Sequence, residues 1–219
     1  MSERLGILGG TFDPVHLGHT TSAIEVADAF SLSQVRLVVS ALPPHKHLAT
    51  AATADQRLAM VELACRVDPR LQASNIEMLH QQPSYTVDTL ATIRASCPAT
   101  TGLWFIIGID AWREVDSWSR PERLLELANL IVTSRPGDAE THPEPRPPFA
   151  DSESTCYDPD IQGYRHISGH ILVGHIIDGI DVSSTEIRQR LQDAGNIEDL
   201  TGPEVSAYIH QHRLYEAPS

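Results

Sequence analysis

The sequence predicts an α/β fold, an open parallel sheet with helices packed on both faces. Three observations carry the prediction. Short apolar runs alternate with segments of helical spacing along the chain. The 219 residues, 41% apolar and 21% charged, suit one soluble globular domain with a full core. The unusual polar segments follow the strands, and in an open parallel sheet ligands bind outside the carboxyl ends of strands.

The elements follow in order. "RLGILG" (4–9) is a short apolar run closed by glycine, a buried strand. "HTTSAIEVADAF" (19–30) puts Ile24, Ala27 and Phe30 on one helical face, and "QVRLVVS" (34–40) is the second strand. "DQRLAMVELACRV" (55–67) is an amphipathic helix with Leu58, Val61, Leu63 and Cys65 on or near its inner face. A weaker strand, "LQASNIEM" (71–78), precedes the helix "YTVDTLATIRAS" (85–96) and the aromatic and β-branched strand "GLWFIIG" (102–108). "RPERLLELA" (120–128) is a helix opened by Pro121, and "NLIVTS" (129–134) is another strand. "HILVGHIID" (170–178) is the last strand, with helices near 184–194 and 203–212. Residues 137–169 are rich in proline and acidic residues and lack a period. The expectation there is a surface insertion or mobile excursion within a single domain spanning 1–219.

The net charge of −13 disfavours general binding to nucleic acid or anionic membrane, since no diffuse basic field attracts phosphates. Positive charge for a phosphate ligand would have to be local, and Lys46 is the sole lysine. Three cysteines, none in C-x-x-C spacing, predict a reduced, cytoplasmic chain without disulfides or a thiolate zinc site. The sequence has neither a signal peptide nor an apolar run long enough to span a bilayer.

"GILGGTFDPVHLGH" (6–19) follows the first strand. Gly9 and Gly10 permit a turn that brings main-chain N–H groups to an anion, and Gly18 would leave one side of the first helical turn bare for a ligand. His16 and His19, three apart, project from one side of that turn and can donate to phosphate oxygens. The alternative is one capping histidine and one surface histidine. No third ligand supports a zinc site. "PPHK" offers Lys46 as a compact ammonium for phosphate, or as an ordinary solvated lysine. In "VSSTEIR" (182–188), Ser183 and Glu186 are spaced as a capping box. Ser184, Thr185 and Arg188 could hold a polyphosphate, or the motif could merely start a helix. In "GIDAWREVDSW", Asp110 could accept from a ribose hydroxyl, position a metal-bound phosphate, or cap a helix. Trp118 could stack on a flat ring or belong to the core.

"GGTFDPVHLGH" resembles the loop of the nucleotidyltransferases that carry H-x-G-H or T-x-x-H. With "PPHK", "PSYTVDTL", "FIIGIDAWREVDSW", "SRPG" and "VSSTEIR" in this order, the chain resembles the bacterial nicotinate-nucleotide adenylyltransferases from about residue 5 to 215, except 137–169. The resemblance implies a Rossmann-like fold of the HxGH type and adenylyl transfer from ATP to nicotinate mononucleotide with release of pyrophosphate. It implies Mg²⁺ entering with ATP, small-molecule partners only, and an oligomer that is possible but not indicated. Gly9, Gly10, Thr11, Phe12, Gly18 and Gly108 would line the dinucleotide site. His16, His19, Ser184, Thr185 and Arg188 would meet the ATP phosphates, and Asp110 and Arg135 the adenosine side. Lys46 would meet the acceptor's phosphate. Tyr85 and Thr86 would sit at the nicotinate pocket, with Trp118 stacked on the pyridine ring. His16, His19, Lys46 and Arg188 are the expected catalytic set. Ser119 stands where some relatives carry an aromatic residue. The alternatives are another adenylyltransferase of the superfamily, such as pantetheine-phosphate adenylyltransferase, and a non-catalytic nucleotide sensor.

Overall fold

The computed structural model describes residues 3–41, 52–79, 84–135 and 154–216. Its strands are β1 (Arg4–Gly10), β2 (Gln34–Val39), β3 (Leu71–Ser74), β4 (Gly102–Gly108), β5 (Asn129–Thr133), β6 (Thr155–Asp158), β7 (Gly163–His166) and β8 (Ile171–His175). They form one sheet in the order β3-β2-β1-β4-β5-β8-β7-β6. The six strands from β3 to β8 in that order are parallel, and β7 and β6 extend the sheet antiparallel. The helices are α1 (Leu17–Phe30), α2 (Ala54–Ala64), α3 (Thr86–Ser96), α4 (Ile109–Arg113), α5 (Leu124–Leu127), α6 (Ser184–Gln192), α7 (Glu198–Thr201) and α8 (Pro203–Gln211).

The strand period of two divides the core between the sheet's faces. Val35, Leu37 and Val39 of β2, Trp104 and Ile106 of β4 and Ile131 of β5 pack with Val26 of α1, Met60 of α2 and Ile187 of α6. Val38, Leu103, Phe105, Ile107, Leu130 and Val132 point the other way, onto Leu90 and Ile93 of α3 and Leu124 and Leu125 of α5. Leu90 and Ile93 are fully buried, and truncating either to alanine would cost about 2–5 kcal/mol. The helices therefore cover both faces, as the alternating pattern predicts. The sheet order runs outward from β1 through β2 on one side and from β4 through β5 on the other. The order reverses between β1 and β4, and a crevice opens there at the carboxyl edge.

Two expectations need correction. Residues 155–158 and 163–166, inside the stretch expected to lack regular structure, are strands β6 and β7. Their pairing is supported by an edge-on Tyr157–Tyr164 contact at 5.5 Å and an Arg165–Asp158 ion pair at 2.9 Å. Each strand has four residues, too few for a legible alternation. The strand expected over 71–78 stops at Ser74, and a 3-10 turn covers Ile76–Leu79.

Candidate active site

The loop after β1 is held from beneath and from one side. Arg57, on the inner face of α2 and only 1% exposed, donates to the main-chain oxygens of Thr11 (2.6 Å), Ser40 (2.7 Å) and Ala41 (3.3 Å). One buried guanidinium thereby joins the carboxyl ends of β1 and β2. Burial lowers its pKa from the usual value. Tyr215 donates to Asp13 Oδ1 at 2.8 Å, and burial first, then the Asp13 charge, push its hydroxyl up, so it remains a donor. From the side, Ser184 Oγ donates to Pro14 O (2.9 Å) and Arg188 Nη1 to Asp13 O (2.6 Å), with Arg188 Nη2 on Thr185 Oγ1 (3.1 Å). Ser183 caps α6 by accepting from the Glu186 N–H at 3.1 Å. The start of α6 is thus docked on the first loop, although some 170 residues separate them in sequence.

On this loop His16 is the N-cap of α1, and His19 occupies its first turn. The His16 N–H donates to His19 Nδ1 at 3.2 Å, which leaves the neutral His19 ring its proton on Nε2, as a donor. The two rings stack at 3.7 Å, and His19 meets the Phe12 ring edge-on at 4.9 Å. His16 is buried, and burial lowers its pKa to about 4, so its imidazole is neutral at pH 7.

Beside this corner lies a cleft of about 320 Å³, at the point where strand order reverses. Gly9 and Gly10, which close β1 instead of forming the turn expected of them, Thr11 of the loop after it, Ser40, Phe105 and Gly108 form part of its lining. Ser84, Tyr85 and Thr86 at the start of α3 form one further wall, and Trp118 and Ser119 another. Thr86 opens α3, so its main-chain N–H is one of those an α-helix leaves without an internal partner. Trp118 meets Phe105 in an edge-type contact at 6.4 Å, packs against the core and also lines the cleft, so it serves both core and cavity. Glu77 also lines the cleft. It accepts from Thr89 Oγ1 at 2.8 Å, and burial raises its pKa. At the ends of β4 and β5, Arg135 Nε donates to Asp110 Oδ2 at 2.7 Å, with Arg113 on the other oxygen at 3.4 Å.

The cytidylyltransferase-like family profile matches residues 7–190. A protein of Pseudomonas paraeruginosa named probable nicotinate-nucleotide adenylyltransferase is 40% identical over 218 residues, covering all of both chains. One of the same name from Citrifermentans bemidjiense is 37% identical over 97% of this chain and 98% of its own. The chain belongs to the nicotinate-nucleotide adenylyltransferase family. A solved structure, the Plasmodium falciparum nicotinic acid mononucleotide adenylyltransferase complexed with NaAD, shares the fold at TM-score 0.71 and 20% identity over 97% of each chain.

In this member of the adenylyltransferase family, the residues expected from sequence divide into three groups. Gly9, Gly10, Thr11, Gly108, Tyr85, Thr86 and Trp118 border the cleft. His16, His19, Ser184, Thr185 and Arg188 cluster around the first loop, and Asp110 and Arg135 pair with each other. Lys46 lies outside the described residues.

Some assigned roles change. The Phe12 ring is buried in the core and packs where a Cβ on Gly10 would stand, 2.8 Å away, so only its main chain can face a ligand. The space beside Gly18 is filled by the chain itself: a Cβ there would lie 2.9 Å from Ile180 O and 3.0 Å from Val182 Cγ1. The side that the missing Cβ leaves bare at Gly18 is taken by the segment leading into α6. Asp110 does not cap α4, because Gly108 holds that position.

Sequence reasoning missed Arg57, Asp13, Tyr215 and Glu77. Arg57 did carry a signal, a charge one turn before Val61 on an apolar stripe. Asp13 lies in the GGTFDPVHLGH motif, where no role of its own was read, and Tyr215 and Glu77 gave no signal.

Proposed function

We propose that the chain transfers the adenylyl group of ATP to nicotinate mononucleotide, forming nicotinate adenine dinucleotide and pyrophosphate. The acceptor's phosphate oxygen attacks the α-phosphorus in line, the new P–O bond forms as the bond to the β-phosphate bridge breaks, and the electron pair leaves with pyrophosphate. Both reactants are anions, so catalysis consists of alignment and stabilisation of charge. The observation that carries this reading is the docking of α6 on the first loop, which brings Arg188 to the loop that leads into His16 and His19 and whose Thr11 lines a cleft walled by Thr86 and Trp118.

In this reading His19 donates from Nε2 to the ATP phosphates, and neutral His16 sets the position of its ring. Arg188, tied by two nitrogens to the loop and Thr185, contributes a fixed positive charge beside the polyphosphate. The main chain of Gly9 to Thr11 lets the nucleotides approach closely. Thr86 takes the nicotinate carboxylate, Tyr85 borders it, and Trp118 stacks on the pyridine ring. Asp110 and Arg135 flank the adenosine, and Lys46 meets the acceptor's phosphate.

Among the described residues no group of three or more His, Cys, Asp or Glu side chains gathers as a metal cage. Asp110 is ion-paired and Asp13 accepts from Tyr215, so these residues suit a cation that arrives on phosphate oxygens. Bound there, Mg²⁺ supplies charge neutralisation of the polyphosphate. Among the described residues no helix is long and apolar enough to cross a membrane, and the reading includes a cytoplasmic setting and a single catalytic domain.

The test is a steady-state measurement of pyrophosphate release with Mg-ATP and, in turn, nicotinate mononucleotide, nicotinamide mononucleotide and phosphopantetheine. Preferred turnover of the first is the expected result. Turnover of phosphopantetheine alone, or ATP binding without pyrophosphate release, would overturn the assignment.

A further inference from the structure

The cleft's ring-binding end is built from two pieces of chain that belong to different elements: the Tyr85–Thr86 start of α3 and the turn at Trp118–Ser119. A side-chain contact joins them. Arg120 Nη2 lies 2.8 Å from Asp88 Oδ1 and 2.7 Å from Oδ2, so one nitrogen spans both carboxylate oxygens. Asp88 stands two residues after Thr86 on the first turn of α3, and Arg120 two residues after Trp118. Arg120 Nε also approaches Ser119 Oγ at 3.4 Å. The backbone of Arg120 is left-handed, at φ 52°, a conformation that a residue with a Cβ holds only where its surroundings impose it. The main-chain bonds that fix this turn are local, Trp118 N to Val115 O and Arg123 N to Arg120 O, and neither reaches α3.

We infer that Asp88 and Arg120 form a clamp that sets the width of the ring slot, and that both are positioning residues for the acceptor nucleotide. The inference rests on the assignment of this slot to the pyridine ring. Both side chains are about half exposed, at 54% and 44%, so the pair adds little to global stability. Its effect is local: it holds the Trp118 turn at a fixed separation from Thr86. Losing it lets the two walls part, which weakens the acceptor and leaves the ATP contacts at His19 and Arg188, held by other parts of the chain, unchanged.

The test is a double-mutant cycle with Asp88→Asn, Arg120→Met and their combination, reading kcat and KM for each substrate, with thermal unfolding as the check on folding. Each single change should raise KM for nicotinate mononucleotide about three- to tenfold, with KM for ATP within roughly twofold. The double variant should be no worse than either single. Unmoved acceptor KM, additive losses, or equal losses for both substrates would overturn the clamp. Trp118→Ala separates this failure from failure of the slot assignment. If Trp118→Ala raises the acceptor KM selectively and the cycle shows no coupling, the clamp alone is wrong. If Trp118→Ala is also without selective effect, the slot is not the pyridine site.

Discussion

The corner proposed for phosphate and the slot proposed for the ring share one sheet edge and are built in opposite ways. The corner is held from within. Arg57 ties three carbonyls from two loops, Tyr215 anchors Asp13, α6 is docked on Asp13 and Pro14, and the histidines stack on each other. The slot is held from outside, by a half-exposed ion pair between Asp88 and Arg120, with Trp118 serving both core and cleft. The difference matches the tasks proposed for the two regions. Charge development at a phosphorus requires donors placed before the reaction begins, which buried networks achieve. Holding a flat ring needs surface contact and tolerates adjustment. The corner should therefore govern turnover, and the slot should govern the choice of acceptor.

The largest effect should come from His19. Replacing it with alanine should cut turnover by about two to three orders of magnitude, as loss of one aimed donor costs ~3–4 kcal/mol. Pyrophosphate release at saturating substrates measures this, and near-normal turnover would remove His19 from the corner. Arg57→Met should follow, losing ~3 kcal/mol of stability by leaving three carbonyls at the loop roots without their donor. Urea unfolding reads it, and an unchanged midpoint would show that the corner does not depend on this guanidinium.

A comparable loss should appear in acid. The folded pKa of His16, about 4, lies below its ordinary value of 6.5. The unfolded chain therefore takes up the proton first, and the contribution is present above pH 6.5 and lost as pH falls through 4. Its size is up to ~3 kcal/mol, and urea titrations across that window should slope less steeply in His16→Gln. Equal slopes would mean that His16 is not buried in the neutral form. The smallest effect belongs to the slot. Trp118→Ala should raise KM for nicotinate mononucleotide about tenfold, with turnover nearly preserved, because an aromatic contact of this kind is worth ~1 kcal/mol. A loss confined to kcat would merge the two regions into one.

Legibility in the sequence divides along the same line. Tyr85, Thr86 and Trp118 and the two histidines sit on short local motifs; the first three line the cleft, and the histidines stand at the start of α1, just after the loop that leaves β1. Their partners were harder to read. Arg57 belongs to a helix with an otherwise ordinary apolar stripe, and Asp88 and Arg120 are surface charges whose relation exists only once α3 and the 118–120 turn come together. Gly18 differs from its expectation because a missing Cβ states that something approaches, without saying whether it is ligand or chain.

By itself the sequence determined the alternation of strand and helix and the strand ends after which the unusual polar segments follow. Those features follow from periodicity within a dozen residues, where side-chain direction is set by the backbone. Only the tertiary structure decided how donors and acceptors were shared: that Arg188 spends two nitrogens within its own chain, that Asp110 and Arg135 pair, and that β6 and β7 lengthen the sheet. A polar group can satisfy itself with many partners of similar energy, so its choice depends on which distant segment packing brings within 3 Å of it.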